Sequence, residues 1–164
     1  MHRFVLKLAY EGTNYHGFQR QEELRTVSGE IEEVLSRLFP GECQNFIGAS
    51  RTDQGVHALG NILSFDTEAE RNPENYERAL NSYLPEDIRV LSAWKKTEDF
   101  HPRFTRHTKE YRYSIDRARV ENPLYQRLYY HYTFPLDLVK IREGIEILKG
   151  EHDFTSFANP KAQT

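Results

Sequence analysis

The stretch GASRTDQGVHALG, residues 48–60, sets an arginine, an aspartate and a histidine among small residues between two apolar segments. Gly48, Ala49 and Ser50 follow Phe46-Ile47, and Gly55 comes directly after Asp53 and Gln54, where only glycine takes up a left-handed backbone cheaply. A tight loop between two strands is expected, with the Asp53 carboxylate held at a strand end. Arg51 is near enough in sequence to pair with Asp53 and keep it ionised near neutral pH, as an anionic nucleophile or base requires. The same spacing also suits a solvated hairpin turn stapled by an Arg51–Asp53 pair, and the spacing alone does not choose between the two.

Outward from this loop the chain alternates between strand and helix patterns. Phe4, Leu6, Leu8 and Tyr10 alternate with Val5, Lys7 and Ala9, the period of a strand with one strongly apolar face. Val27, Ile31, Val34, Leu35 and Leu38 fall at helical spacing behind Thr26 as N-cap. The loop then joins a strand near Phe46 to one over 62–65. Asn72-Pro73 opens a second helix with Tyr76, Ala79, Leu80, Tyr83 and Leu84 facing inward, and Pro85 stops it. Strands are expected over 88–94, 109–115 and 128–132. A third helix follows, capped by Asp137, with Leu138, Ile141, Ile145 and Leu148 on one stripe and Gly150 beyond its end. Strand, helix, strand, strand, helix, strand is the order of a ferredoxin-like half. It predicts an α+β fold, an antiparallel or mixed sheet with helices on one face and the other face open.

Composition bounds the function classes. With 164 residues, 38% hydrophobic content, nine glycines and seven prolines, the chain can bury a core of about one domain. Its formal net charge of -3 gives no bulk attraction for nucleic acid. Local charge differs: six cations (Arg103, Arg106, Lys109, Arg112, Arg117, Arg119) stand against Glu110 and Asp116, interleaved with Phe104, Tyr111 and Tyr113. That mixture suits phosphate contacts with base stacking, and equally an ordinary charged sheet face. The single cysteine, Cys43, excludes an internal disulfide and fits a reducing cytoplasm. No apolar run approaches the length of a membrane span, and the N-terminal MHRFVLKLAY lacks a signal-peptide core.

The loop, with Arg51-Thr52-Asp53 followed by Gly55-Val56-His57-Ala58, resembles the catalytic loop of tRNA pseudouridine synthases of the TruA type. Four further blocks in the family's order carry the resemblance along most of the chain: YEGTNYHGFQRQ at 10–21, NSYLPEDI at 81–88, FHPRF with KEYRY at 100–104 and 109–113, and GEHDFTSF at 150–157. Two departures stand inside the loop, Ser50 where the family has glycine and Gln54 where it often has a small residue.

The resemblance implies isomerisation of uridine to pseudouridine in the anticodon stem-loop of tRNA, without cofactor or metal, by a cytoplasmic homodimer. Asp53 would be the catalytic carboxylate, Arg51 would hold it ionised and occupy the gap left by the flipped base, and Tyr111 would stack on the uracil. Arg20, Arg103, Arg106, Lys109 and Arg112 would contact RNA, with Thr52, Gly55 and His57 supporting the loop. Residues 1–116 would form the first ferredoxin-like half and 117–164 the start of a second, truncated one. The chain alone would then fold and self-associate with little turnover, since one wall of the cleft is incomplete. Two rivals are a catalytically silent RNA-binding fragment of such an enzyme, and a metal-dependent hydrolase using Asp53, His57 and a further histidine. No close ligand spacing such as HxH or HExxH supports the hydrolase.

Overall fold

A computed structural model describes residues 1–157. The chain divides into two compact units, Met1–Glu110 and the portion from Tyr111 onward. The first contains β1 (His2–Tyr10), α1 (Val27–Leu38), β2 (Cys43–Gly48), β3 (Ala58–Thr67), α2 (Pro73–Tyr83) and β4 (Ile88–Lys96). The four strands form one antiparallel sheet in the order β2-β3-β1-β4, which is the ferredoxin-like arrangement expected from the element order.

The period-2 pattern of β1 becomes one face of the core. Phe4, Leu6 and Leu8 are fully buried and stand opposite Phe65, Leu63 and Asn61 of β3. Against them pack Val27, Ile31, Val34 and Leu35 of α1 and Tyr76 and Leu80 of α2. Tyr76 joins the layers, its ring 4.9 Å from Phe4, 5.1 Å from Phe65 and 5.0 Å from Phe39. Both helices begin where their capping residues predict. Thr26 accepts from the Gly29 N–H at 3.2 Å, and Asn72 accepts from the Glu74 N–H at 3.1 Å with Pro73 as the first helical residue. Tyr83 departs from its expected inward position. It is exposed at the end of α2, beneath the Arg37 guanidinium of α1 at 5.2 Å from the ring centroid, where an aromatic face meets a cation without losing water from its hydroxyl.

The helix-free face, expected to be open, carries a strap formed by 97–104. Arg3 of β1 forms a two-pronged pair with Asp66 of β3 (2.8 and 2.9 Å) and donates to the Glu98 and Phe100 carbonyls at 2.7 and 2.5 Å. Asn45 adds a 3.1 Å bond to the same carboxylate. Arg103 Nε donates 3.1 Å to the Gly48 carbonyl at the far end of β2. The strap therefore runs diagonally from the start of β1 to the end of β2, with Val5 and Pro102 buried along the way.

In the second unit the expected strands over 109–115 and 128–132 shrink to a parallel pair of two residues each, β5 (Ile115–Asp116) and β6 (Tyr130–His131). A strand persists only where a neighbour completes its ladder, and here the bonds stop at Tyr130 N–H to the Ser114 carbonyl and Tyr132 N–H to the Asp116 carbonyl, both 2.8 Å. The helix α3 (Leu138–Leu148) forms as predicted, Asp137 accepting from the Val139 and Lys140 N–H groups at 3.1 Å. Its stripe is not a core: no residue of α3 is buried.

Candidate active site

The loop 49–57 leaves β2 after the Ala49 N–H bonds the Ile62 carbonyl at 2.8 Å and re-enters at β3. Its floor is the Tyr10–Phe18 segment. The Phe18 N–H donates 3.0 Å to the Thr52 carbonyl, and the Gly55 N–H donates 3.3 Å to the Tyr15 carbonyl. The backbones approach closely because glycine stands at the crossing points: a Cβ on Gly12 would lie 2.1 Å from the Val56 carbonyl oxygen, one on Gly17 2.8 Å from that of Thr52. Gly17 and Gly55 also have positive φ, +92° and +78°, so the left-handed turn expected at Gly55 is present. The 10–21 block and the 49–57 loop are therefore one structural piece, which neither string reveals alone.

The floor is itself fixed. Tyr15 is buried, its hydroxyl donates to Asp87 at 2.5 Å, and the Arg25 guanidinium lies 4.7 Å from its ring centroid. Burial first, and the Asp87 carboxylate second, push the Tyr15 phenol well above its ordinary value, so it stays a donor.

His57 lies at the exit of the loop and accepts the Gly12 N–H on Nδ1 at 2.9 Å, which puts the proton of the neutral ring on Nε2. Glu11 Oε1 is 3.5 Å from that same Nδ1, and a nitrogen already accepting a hydrogen bond cannot donate one to a carboxylate. The backbone bond is the tighter contact and defines His57 as a structural tie between loop and floor.

Beneath the loop lies a polar cluster that the sequence reading missed. Asn61, buried on β3, donates to the Ser50 carbonyl and to the Tyr10 hydroxyl, both at 3.1 Å, and accepts the Ile62 N–H at 2.9 Å. The Tyr10 hydroxyl in turn lies 2.8 Å from Thr52 Oγ1. A signal existed: Asn61 shares the period-2 frame of Leu63 and Phe65, so it is a polar residue in a core-facing register.

Above this cluster Asp53 and Arg51 are exposed, with Thr52 turned inward between them. Among the described residues Asp53 and Arg51 form no ion pair, in contrast to the expected Arg51–Asp53 staple. A solvated pair gains about 0–1 kcal/mol and must offset the entropy of fixing two side chains. The Asp53 carboxylate thus faces solvent on a loop anchored by backbone groups of Ala49, Ser50, Thr52 and Gly55 and by the His57 side chain.

The remaining expected residues divide between the units. Arg20 pairs with Glu32 of α1 at 3.1 Å, and Arg103 is the anchor of the strap at Gly48. Arg106 and Lys109 are exposed near the end of the first unit. Tyr111 and Arg112 lie in the second, Tyr111 79% exposed and outside any strand, so its hydroxyphenyl is not the core group that strand periodicity would make it. No cluster of three or more His, Cys, Asp or Glu side chains suited to a metal occurs among the described residues.

The four-stranded antiparallel sheet with its helices is consistent with a half-domain of a pseudouridine synthase. Residues 8–105 match the family described as tRNA pseudouridine synthase, and the chain belongs to that family. It is similar to proteins named tRNA pseudouridine synthase A from Streptococcus equi subsp. equi (strain 4047), 43% identical over 157 residues, and Geobacillus sp. (strain WCH70), 38% identical over 159 residues. Those alignments cover 96% and 97% of this chain and 63% and 64% of the relatives, so the chain spans a little under two thirds of their length.

Proposed function

We propose that this chain carries the reacting carboxylate of an enzyme that isomerises uridine to pseudouridine in the anticodon stem-loop of tRNA. Uridine and pseudouridine have the same atoms. The C1′–N1 bond breaks, the base turns, a C1′–C5 bond forms, and the proton lost from C5 is matched by one gained at N1, so no co-substrate is required. Asp53 serves this reaction by adding to C1′ or by taking the 2′ proton, and either role needs an ionised, accessible carboxylate in a fixed place.

The observation that carries the reading is the solvent-facing Asp53 on a loop tied at five points to the sheet and the Tyr10–Phe18 floor. Arg51, exposed beside it, fills the space of the flipped base, and Tyr111 stacks on the uracil, a role its 79% exposure favours. Arg103, Arg106, Lys109, Arg112 and Arg20 contact tRNA phosphates, while Thr52, Gly55 and His57 hold the loop. Residues 1–116 form the catalytic half and 117–164 begin the second, part of which lies outside the described residues. The enzyme acts as a homodimer in the cytoplasm, a reading that the family resemblance and the lone cysteine support.

The test is Asp53→Asn in the full-length protein, with tRNA labelled by tritium at uridine C5, whose release follows the new bond. Turnover falls by about 10⁴-fold, as for a reacting group removed from a catalytic unit. Binding of tRNA stays within about threefold, because a carboxylate adds nothing to phosphate attraction. Tritium release near the parental rate overturns the assignment.

A further inference from the structure

Three buried or half-buried polar residues under the loop form a chain of hydrogen bonds that runs from the Ser50 carbonyl to Thr52. The Asn61 carboxamide has two N–H donors, and the structure gives them two acceptors, the Ser50 carbonyl and the Tyr10 oxygen, each at 3.1 Å. Its oxygen is engaged by the Ile62 N–H at 2.9 Å, which fixes the amide orientation. The Tyr10 hydroxyl, accepting from Asn61, lies 2.8 Å from Thr52 Oγ1, and either hydroxyl of that pair can donate. The two ends of the relay grip Ser50 and Thr52, which bracket Arg51 and immediately precede Asp53.

We propose that Asn61 and Tyr10 are positioning residues for Asp53, acting through this hydrogen-bond relay to set the height and angle of the loop. The inference rests on Asp53 being the reacting carboxylate. Its physical basis is that a buried polar network is rigid when its members are hydrogen-bonded, and every link from the Ser50 carbonyl through Asn61 and Tyr10 to Thr52 Oγ1 is made. Burial raises the Tyr10 phenol above its ordinary value against the opposing bonds to Thr52 and Asn61, so the phenol keeps its proton for the network. The positions also explain why a polar residue is tolerated opposite Leu8 in the core register: its groups belong to the loop above.

Two substitutions remove one hydroxyl each while keeping shape. Tyr10→Phe leaves the ring in the core, and Thr52→Val leaves the branched side chain. In the full-length protein each should lower kcat for tritium release by about 10²-fold, the cost of misplacing a reacting group by roughly 1 Å, with KM for tRNA unchanged. Thr52→Ser, which restores the hydroxyl, recovers most of the turnover lost in Thr52→Val. The double variant Tyr10→Phe/Thr52→Val is no worse than the more damaging single one, because both break the same relay. Should Tyr10→Phe fail to fold, half-buried Thr52→Val and its serine rescue decide the matter. Parental kcat in both single variants, or a loss confined to KM, overturns the relay. Asp53→Asn is measured in parallel. If it is inactive while the relay variants are parental, only the relay falls. If it is active, the reading of Asp53 falls and the relay with it.

Discussion

Helices α1 and α3 have similar sequences in outline and opposite fates. Each is introduced by a capping oxygen, Thr26 or Asp137, and each repeats apolar residues at helical spacing. In α1 the stripe Val27, Ile31, Val34 and Leu35 is buried against a four-stranded sheet. In α3, Leu138, Ile141, Ile145 and Leu148 are 50%, 41%, 49% and 52% exposed. Spacing and caps therefore determine where a helix forms, and only a facing surface determines whether its stripe becomes core. The first unit supplies such a surface, because β1 pairs along its length with both β3 and β4. The second has a parallel pair of two residues per strand.

The largest test of this contrast is a pair of truncations. Leu6→Ala removes a fully buried side chain from the central strand and should cost about 2–5 kcal/mol of unfolding free energy, from lost transfer energy plus a cavity. Ile145→Ala, at a half-exposed helical position, should cost about 0.5 kcal/mol or less. Urea midpoints of the two variants provide the comparison. Equal shifts would mean that α3 is packed as tightly as the first unit and would break the contrast.

The same contrast governs what could be read without the structure. The element order of the first unit was legible because its strands and helices carried their own periods and its helices their own caps. The loop was legible from Gly55 and from the crowding of small residues around Asp53. The absence of an Arg51–Asp53 pair was not, since sequence proximity says nothing of the entropy a solvated pair must overcome. Strands expected at 109–115 and 128–132 failed for a different reason: alternation describes a residue's preference for a half-buried ladder, and ladder partners come from elsewhere in the chain. The floor under the loop depended on contacts between Gly12 and Val56 and between Gly17 and Thr52, separations at which one sequence offers no signal. The strap likewise needed Arg3, at the start of the chain, to find Asp66 and the Glu98 carbonyl.

That strap gives the second test, because it ties the helix-free face of the first unit by charge where the other face is tied by apolar contact. The Arg3 guanidinium, first by hydrogen bond, holds the Asp66 carboxyl below its ordinary value, with Asn45 helping and burial opposing. A folded pKa lowered in this way adds stability that is present above the unfolded carboxylate value of about 4 and is lost as pH falls through the folded value. Asp66→Asn leaves Arg3 without its charged partner and should cost about 3 kcal/mol at pH 7, in the range for breaking a buried pair. The gap between parent and variant then narrows as pH drops below about 4. A gap that stays constant down to pH 2 would show that charge is not what fastens the strap.

The smallest effect comes from Cys43, at the first position of β2 and opposite Thr67 of β3. Burial, with Glu42 adding and Arg71 opposing, pushes its thiol up to about 11. At pH 8 the thiolate is then roughly 10³-fold less abundant than the thiol, and alkylation by iodoacetamide should run about 10²-fold slower than for an unhindered cysteine of ordinary pKa. Because Cys43 is the sole cysteine, its labelling in rising urea follows the first unit alone, whereas far-ultraviolet ellipticity also counts α3. A labelling midpoint above the ellipticity midpoint would sharpen the contrast between the units. Rapid labelling in native buffer would mean that the β2 edge opens on its own, and that the rigidity of the 49–57 loop does not extend down the strand that feeds it.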